Sequence, residues 1–509
     1  MVLTASEKNY KKLCNLVRPA ALLSSALRLI EWDQETNMPA LGIELKTEQN
    51  KLLHELVHKQ MTSKRYVKLL SQFIDIETGT LLTTDLKPNE TASVKEMRRD
   101  YLHTSKLNST FLKKFTEATT LSLDAWKKAR KTNSFKLFLP HLEKIISLTR
   151  KKADLLGYQE HPYNALLDIY EPDTTVALLD PLFASLKAKI LPLLQKVESK
   201  QDPKLENLLK NKIFPVEAQK KVCSDILLKM GLTTENHHLS ETAHPFCMAL
   251  YPDDIRLTTH FNEKNFLQAF LATMHEGGHG LYEAGLPKAH FGTPLGEAAS
   301  HGIHESQSRI WETCIGHSKP FWNYFYPKLQ AAFPEALAQT SLNDFYGHVN
   351  FVKPSLIRIF SDEVTYNLHI ILRYELEKGF LDGSLSPKDL SELWNSQMQT
   401  LLGITPANDA EGCLQDIHWS LGLIGYFPSY TLGNLYAGTL FNSLTKTFPD
   451  WDKRITSGDL LFIKEFLNTH IHQYGRQFAP KPLVENLTGA PFTADPYISY
   501  LTSKYLIVN

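Results

Sequence analysis

The chain has 509 residues, of which 43% are hydrophobic and 22% are charged, and its formal net charge is +0. This composition is typical of a globular protein with a sizeable core, and the lack of a basic excess disfavours nucleic acid and anionic membranes as partners. The five cysteines occur singly and are odd in number, which indicates reduced thiols and argues against a cysteine metal site.

Apolar residues at helical spacing recur along most of the chain. The segments predicted to be helical are 6–59, 93–156, 174–230, 262–285, 294–316, about 354–380 and 387–402, with further helices towards the C-terminus. We expect Met38-Pro39 to break the first segment, Pro140 to open or kink the second of two helices in 93–156, and Pro294 to start the helix 294–316. The sequence has neither a signal-peptide pattern nor a stretch apolar enough to span a bilayer, so we expect a soluble, cytoplasmic protein.

Residues 236–261 have a different character from the helical segments. His244-Pro245-Phe246 and the segment 254–259 have strand-like composition, with turn residues between them. This predicts a small antiparallel sheet immediately before the helix 262–285. Because the sequence shows no internal repeat and no long Gly/Ser linker, we expect a mainly α fold that forms one domain over residues 1–509.

The segment His275-Glu276-Gly277-Gly278-His279 fits the motif H-E-x-x-H. Residues four apart share one face of a helix, so both histidines can direct an imidazole nitrogen at the same metal ion. Glu276 leaves the helix about 100° away from His275, where its carboxylate can take a proton from a water on the metal. The apolar residues before the motif predict a buried helix. Two glycines in mid-helix indicate that another segment or a ligand approaches closely there.

A catalytic zinc site usually has a third protein ligand and one position for water. The candidates are Glu297, His301 and Glu305, which lie four apart along one face of the predicted helix 294–316. Their spacing does not choose among them, and an exposed or salt-bridged residue is the alternative for each. Arg309, one turn after Glu305, is a candidate partner of that carboxylate.

Five further segments accompany the metal motif: His244-Pro245-Phe246, Asp254-Ile255-Arg256-Leu257-Thr258, His304-Glu305-Ser306-Gln307, Ile357-Arg358-Ile359-Phe360-Ser361-Asp362 and Gly412-Cys413-Leu414-Gln415-Asp416-Ile417-His418-Trp419. In this order they resemble the motif set of the thermostable metallocarboxypeptidases of the carboxypeptidase Taq type. Trp32-Asp33-Gln34 and residues 168–172 also resemble that family, so the likeness covers nearly the whole chain.

The resemblance implies a large helical peptidase fold with a long central groove, the metal at its base, and usually a homodimer. It makes His275, His279 and Glu305 the metal ligands and Glu276 the general base. Zinc is the default ion and cobalt the alternative, and two imidazoles with one carboxylate form a donor set that suits zinc. The expected reaction is the release of single amino acids from peptides with a free C-terminus.

Such a reaction needs a cation for the substrate carboxylate, and a guanidinium serves best because it can bond bidentately. Arg358 is the first candidate and Arg256 the second. The alternative for either arginine is a buried salt bridge to an acid such as Asp254 or Asp362.

The developing oxyanion needs a hydrogen-bond donor in addition to the metal. His418 and Tyr430 are the candidates, with Tyr426 behind them. The segment 422–433 is rich in glycine and aromatic residues, which is typical either of a mobile loop that faces substrate or of a tightly packed turn. The residues expected to orient ligands or substrate are His244, Asp254, Gln307, Gln415 and Asp416.

Two other functions are compatible with the metal motif alone. A neurolysin-like metal-dependent oligopeptidase shares the H-E-x-x-H helix but cleaves peptides internally. A helical binding protein would carry the motif by coincidence and would bind no stoichiometric metal.

Overall fold

The structure is a computed structural model that describes residues 4–507 of a mainly α-helical chain. In chain order, the helices of these residues are α1 Ala5–Thr36, α2 Ile43–Met61, α3 Lys64–Leu70, α4 Pro88–Ser105, α5 Ser109–Thr132, α6 Phe135–Leu156, α7 Asn164–Tyr170, α8 Val176–Glu198, α9 Val216–Met230, α10 Phe266–Gly285, α11 His301–Arg309, α12 Lys319–Ala332, α13 Pro334–Leu337, α14 Leu342–Val349, α15 Tyr366–Asp382, α16 Leu390–Leu402, α17 Phe427–Thr447, α18 Trp451–Thr456, α19 Leu461–His470, α20 Pro480–Thr488 and α21 Asp495–Thr502.

Contacts along the chain define two compact units, each assembled from three separate segments. The first unit comprises residues 4–104, 207–349 and 439–491, and the second comprises residues 105–206, 350–438 and 492–507. The single domain expected from the sequence stays a prediction.

Helix breaks follow the prolines only in part. α1 ends before Met38-Pro39 and α2 starts beyond it, as predicted. The prediction of two helices in residues 93–156 is wrong, because three are present there. Asn108 caps α5 by accepting a hydrogen bond from Phe111 N at 2.9 Å, and α5 ends at Thr132, because the next residue, Asn133, has a φ of 55° that stops the helix before α6. Pro140 lies inside α6 instead of opening it.

By length and composition alone, α1 is long and apolar enough to cross a membrane, a test that core helices and signal sequences also pass. In this structure, one side of α1 contributes Tyr10, Leu13 and Val17 to a buried cluster. That cluster also contains Tyr66 and Phe73, so this side of α1 packs against the protein.

The small sheet is mixed rather than antiparallel throughout. Its strands are β1 His237–Glu241, β2 Cys247–Tyr251 and β3 Asp254–Thr259, in the order β1–β3–β2. β2 and β3 pair antiparallel, as predicted, but β1 pairs parallel with β3, starting at His237 opposite Ile255. His244-Pro245-Phe246 connects β1 to β2 and is not itself a strand. Pro245 has no N–H to donate to a strand ladder.

Helix α10 carries the H-E-x-x-H motif and packs against β3 and α9. Asn265 caps it by accepting a hydrogen bond from Gln268 N at 3.3 Å. The apolar face that precedes the motif is buried, and the ring of Phe270 lies 5.8 Å from that of Trp322 and 5.1 Å from that of Phe325. The sequence-based expectation of a buried helix is therefore confirmed.

Helix α11 crosses close to α10, but it starts later than predicted. Pro294 begins only a short 3-10 turn, and the helix begins after Ser300, whose hydroxyl accepts a hydrogen bond from Ile303 N at 3.0 Å. Glu297 is consequently extended (φ −122°, ψ 156°) and does not share a helix face with Glu305. At the crossing, a Cβ on Gly278 would lie 2.5 Å from the carbonyl oxygen of Gln307, which explains this glycine in mid-helix.

Candidate metal centre

Three side chains in the first unit converge as a ligand set. His275 Nε2 lies 3.6 Å and His279 Nε2 lies 3.5 Å from Glu305 Oε2. The candidate ligand atoms all lie within 4.8 Å of one another. The two His–Glu distances exceed a normal hydrogen bond. They match the roughly 3.3–3.5 Å between neighbouring ligands of a tetrahedral ion with zinc-like bond lengths, so the residues fit a divalent metal.

The protonation of His275 also fits a metal ligand. Its Nδ1 lies 2.8 Å from Glu312 Oε2, which also accepts from Arg309 Nη1 at 2.7 Å. Burial raises the pKa of Glu312, but Arg309 and His275 outweigh burial and hold it well below its usual range. The ionised carboxylate can only accept a hydrogen bond, so Nδ1 of His275 carries the proton. In the neutral ring that binds a metal, the lone pair of Nε2 therefore faces Glu305.

The second histidine is oriented by a longer chain of hydrogen bonds. His279 Nδ1 lies 2.5 Å from His304 Nδ1, and His304 Nε2 lies 2.9 Å from Glu283 Oε1. Because the Glu283 carboxylate accepts, a neutral His304 carries its proton on Nε2 and accepts at Nδ1. His279 then donates from Nδ1, and its Nε2 lone pair also faces Glu305.

The electrostatics of the three ligands favour a positive charge at the centre. Burial lowers the pKa of His275, but the carboxylates of Glu305 and Glu312 outweigh burial and raise it to about 9. Burial, followed by the neighbouring His304, lowers the pKa of His279 to about 4, so this imidazole is neutral as a metal ligand must be. Burial raises the pKa of Glu305, yet the two histidines bring it below its usual value.

Glu276 lies beside these ligands on α10. Its side chain is buried, with 7% exposure, and burial raises its pKa to about 7. Its carboxylate has no hydrogen-bond partner among residues 4–507. Both oxygens are therefore available to water or substrate.

The other candidates for the third ligand lie elsewhere. Glu297 Oε2 pairs with Arg476 Nη1 at 3.0 Å, and His301 is exposed at the start of α11. Sequence reasoning missed Glu283 and Glu312, which fix the two histidines. Glu283 follows His279 by four residues and so lies on the same face of α10. This spacing could have predicted that Glu283 lies near His279.

Three predicted substrate-binding residues of the first unit do not contact the ligand set. Arg256 forms a two-pronged ion pair with Asp254, at 2.9 Å and 3.0 Å, and lies 4.9 Å from the ring centre of Trp32. This is the salt bridge that the sequence left open as the alternative. His244 is exposed in the connection between β1 and β2, where its carbonyl oxygen accepts a hydrogen bond from the Thr242 hydroxyl.

Gln307 is buried on α11, two residues after Glu305. Its side-chain oxygen lies 3.0 Å from Nε2 of His472, and its amide donates to the Ser306 hydroxyl at 2.9 Å. Gln307 therefore ties α11 to the chain around His472 and supports the backbone that carries Glu305.

The second unit brings two other motifs together around Asp416. Arg358 donates to Asp416 Oδ1 from Nε at 3.0 Å and from Nη2 at 2.8 Å, and from Nη1 to the Tyr366 hydroxyl at 2.8 Å. Arg373 donates from Nε to Asp416 Oδ2 at 2.7 Å. Gln415 accepts from Arg358 N and from Arg373 Nη2, both at 2.9 Å. The acid that pairs with Arg358 is thus Asp416 and not Asp254 or Asp362.

His418 and Tyr430 are neighbours in the same unit. His418 Nε2 lies 3.1 Å from the Tyr430 hydroxyl, and Arg358 lies 5.0 Å from the Tyr430 ring centre. Burial lowers the pKa of His418 to about 3, so its ring is neutral. Residues 427–433 of the segment 422–433 belong to the start of α17, and Ile424 and Phe427 are buried, which favours the packed alternative over a loop.

The chain is similar to known proteins along nearly its whole length. The chain matches the family model described as carboxypeptidase Taq (M32) metallopeptidase over residues 12–505. It is 38% identical to "Carboxypeptidase 1" of Bacillus subtilis, over 97% of each chain, and 38% identical to "Thermostable carboxypeptidase 1" of Thermus thermophilus, over 98% of each chain. The crystal structure of an M32 carboxypeptidase from Deinococcus radiodurans superposes with a TM-score of 0.93 at 32% identity, covering 98% of this chain and 99% of that one.

Proposed function

The chain belongs to the carboxypeptidase Taq (M32) family of metallopeptidases and is a metal-dependent carboxypeptidase, and we propose that its ion is zinc held by His275, His279 and Glu305. The observation that carries this proposal is the convergence of two Nε2 lone pairs on Glu305 Oε2, at 3.6 Å and 3.5 Å. Two imidazoles and one carboxylate form a three-ligand set that leaves a position for water. Cobalt(II) accepts the same donors and is the second choice.

A divalent ion at these ligands supplies Lewis acidity, which polarises the scissile carbonyl and makes the attacking water more acidic. Glu276 is the general base in this proposal. Its carboxylate oxygens take the proton of the attacking water and then deliver it to the nitrogen of the leaving amino acid. No residue from 4 to 507 forms a competing hydrogen bond with the Glu276 carboxylate, which supports this role.

Tyr430 is proposed to stabilise the oxyanion, with His418 behind it. Nδ1 of His418 lies 3.9 Å from Asp416 Oδ1, and its Nε2 lies 3.1 Å from the Tyr430 hydroxyl. The contact with His418 fixes the position of the Tyr430 hydroxyl, which can donate to the oxyanion.

Arg358 is proposed to bind the substrate carboxylate. A guanidinium has five N–H groups, and three of those of Arg358 are used by Asp416 and Tyr366. Two have no hydrogen-bond partner among residues 4–507, and Asp416 holds the group in a fixed orientation. Arg358 is preferred because its guanidinium lies 5.0 Å from the ring centre of Tyr430, the proposed oxyanion donor. Arg256 stays the second candidate, since it pairs with Asp254 and lies against Trp32. A homodimer, a cytoplasmic location and a long substrate groove also remain proposals.

The test compares one short peptide that has a free C-terminus with its C-terminally amidated copy. A hydrogen bond to a charged group contributes about 1.5–3 kcal/mol, so we expect kcat/KM to fall by roughly 10- to 100-fold on amidation. Mass spectrometry of the products should show single residues lost from the free peptide. Equal cleavage of both peptides at an internal bond would instead identify an oligopeptidase.

A further inference from the structure

A buried carboxylate outside the predicted site organises the second unit. Glu377 on α15 is fully buried and accepts three hydrogen bonds. Trp419 Nε1 donates to Oε1 at 2.7 Å, while the Tyr163 hydroxyl and Gly425 N donate to Oε2 at 2.5 Å and 3.0 Å. All three partners are donors, so they match the ionised carboxylate.

Two of these donors lie on the segment that carries the proposed oxyanion donors. Trp419 directly follows His418, and Gly425 directly precedes Tyr426. One carboxylate therefore ties this segment at two points, six residues apart. Gly425 has a φ of +95°, and a Cβ there would lie 3.0 Å from Leu166, so this position of the turn requires glycine.

Glu377 also completes the charge balance around Asp416. The single carboxylate of Asp416 accepts from both Arg358 and Arg373, which leaves one of the two positive charges uncompensated. Burial raises the pKa of Glu377 to about 7, while its three donors and the charge of Arg373 lower it. Loss of the Glu377 charge would leave its buried donors unsatisfied, so this carboxylate fixes the positions of the residues that donate to it.

We propose that Glu377 is a positioning residue that holds the segment 418–430, and with it the Tyr430 hydroxyl, in the geometry needed for hydrolysis. The proposal rests on the role given above to His418 and Tyr430. Their contact at 3.1 Å, and the packing of the Phe427 ring at 4.5 Å from the His418 ring, both belong to the segment that Glu377 ties down.

The test is Glu377→Gln in the metal-loaded full chain. The amide has the same shape, but its NH2 group must face either Trp419 Nε1–H or Gly425 N–H, and neither of these can accept. The segment should shift, and we expect kcat to fall about 10- to 100-fold. KM should stay within about 3-fold, because the group that is displaced acts only in the transition state. The content of bound zinc should be unchanged.

A matched control is Glu363→Gln. Glu363 is another buried carboxylate of this unit, and it accepts from the hydroxyls of Tyr500 and Tyr505 and from Lys504. We expect this variant to keep the wild-type kcat, whatever its melting temperature. An equal loss of kcat in both variants would overturn the proposal, because burial alone would then explain it.

Trp419→Phe removes the hydrogen bond between Trp419 and Glu377 by changing the donor instead of the acceptor. This variant is the alternative test if Glu377→Gln does not fold. It should reproduce the loss of kcat, and the double variant should lose no more than the larger single loss. A wild-type kcat in Trp419→Phe, or in a folded Glu377→Gln, would overturn the proposal. If the wild type itself released no C-terminal residues, the proposed function would fail instead.

Discussion

Replacing Glu276 by glutamine should leave zinc bound and abolish most of the hydrolysis. The amide cannot take the proton of the attacking water, whereas the ligand atoms of His275, His279 and Glu305 are unaltered. General base catalysis contributes typically 10²- to 10⁴-fold, so we expect kcat to fall by about that factor. KM for a short peptide should change little, because the base acts in the transition state.

The measurement pairs steady-state kinetics with zinc analysis of the same purified sample. Glu263→Gln is the matched control: Glu263 is exposed just before α10, and this variant should retain wild-type kinetics. A fully active Glu276→Gln enzyme with bound zinc would show that another group takes the proton.

Glu305→Ala should have the opposite signature, in which the metal itself is lost. Removing a residue that only supports a ligand costs about 10- to 100-fold in metal affinity, and removing a ligand should cost more. We therefore expect zinc per chain to fall far below one after dialysis and activity to fall with it. Circular dichroism should show an intact helical fold, since the Glu305 carboxylate accepts its hydrogen bond from Ser308 of the same helix.

Glu297→Ala provides the control for this prediction. The sequence offered Glu297 as an equal candidate, but in the structure it pairs with Arg476. We expect this variant to keep its zinc. Loss of zinc from Glu297→Ala and its retention in Glu305→Ala would reverse the ligand assignment.

The parts of the site that sequence predicts are those set by local geometry. The four-residue spacing of His275 and His279 placed both on one face of a helix, and the apolar residues before them predicted its burial. The glycine at 278 indicated a close approach, which the backbone of Gln307 makes. Glu305 came from the family resemblance, because the spacing of the three candidates did not distinguish them.

The errors arose where the chain departs from regular structure. Glu297 was placed on a helix that in fact starts after Ser300, since a proline at a turn resembles a proline at a helix start. Glu312 lies in a π-helical turn, Ile310–Ile315, directly after α11, a feature without a sequence signature. The parallel pairing of β1 depends on a crossing connection, and local composition does not reveal it.

Contacts between residues far apart in the chain could not be predicted from the sequence either. Asp416 lies 58 residues after Arg358 in the sequence, and Trp419, which donates a hydrogen bond to Glu377, lies 42 residues after it. Both arginines proposed to bind the substrate carboxylate form ion pairs with acids of the protein. Only the tertiary structure shows which acid each arginine contacts, and that Arg358 lies beside Tyr430 whereas Arg256 lies against Trp32.

The central claim is that one ion is bound by two histidines of α10 and one glutamate of α11. Anomalous X-ray diffraction from zinc-loaded crystals, recorded on both sides of the zinc absorption edge, tests it most directly. We expect one peak per chain, about 2.0–2.2 Å from His275 Nε2, His279 Nε2 and a carboxylate oxygen of Glu305. A peak held by other residues, or no peak between these three side chains, would contradict it.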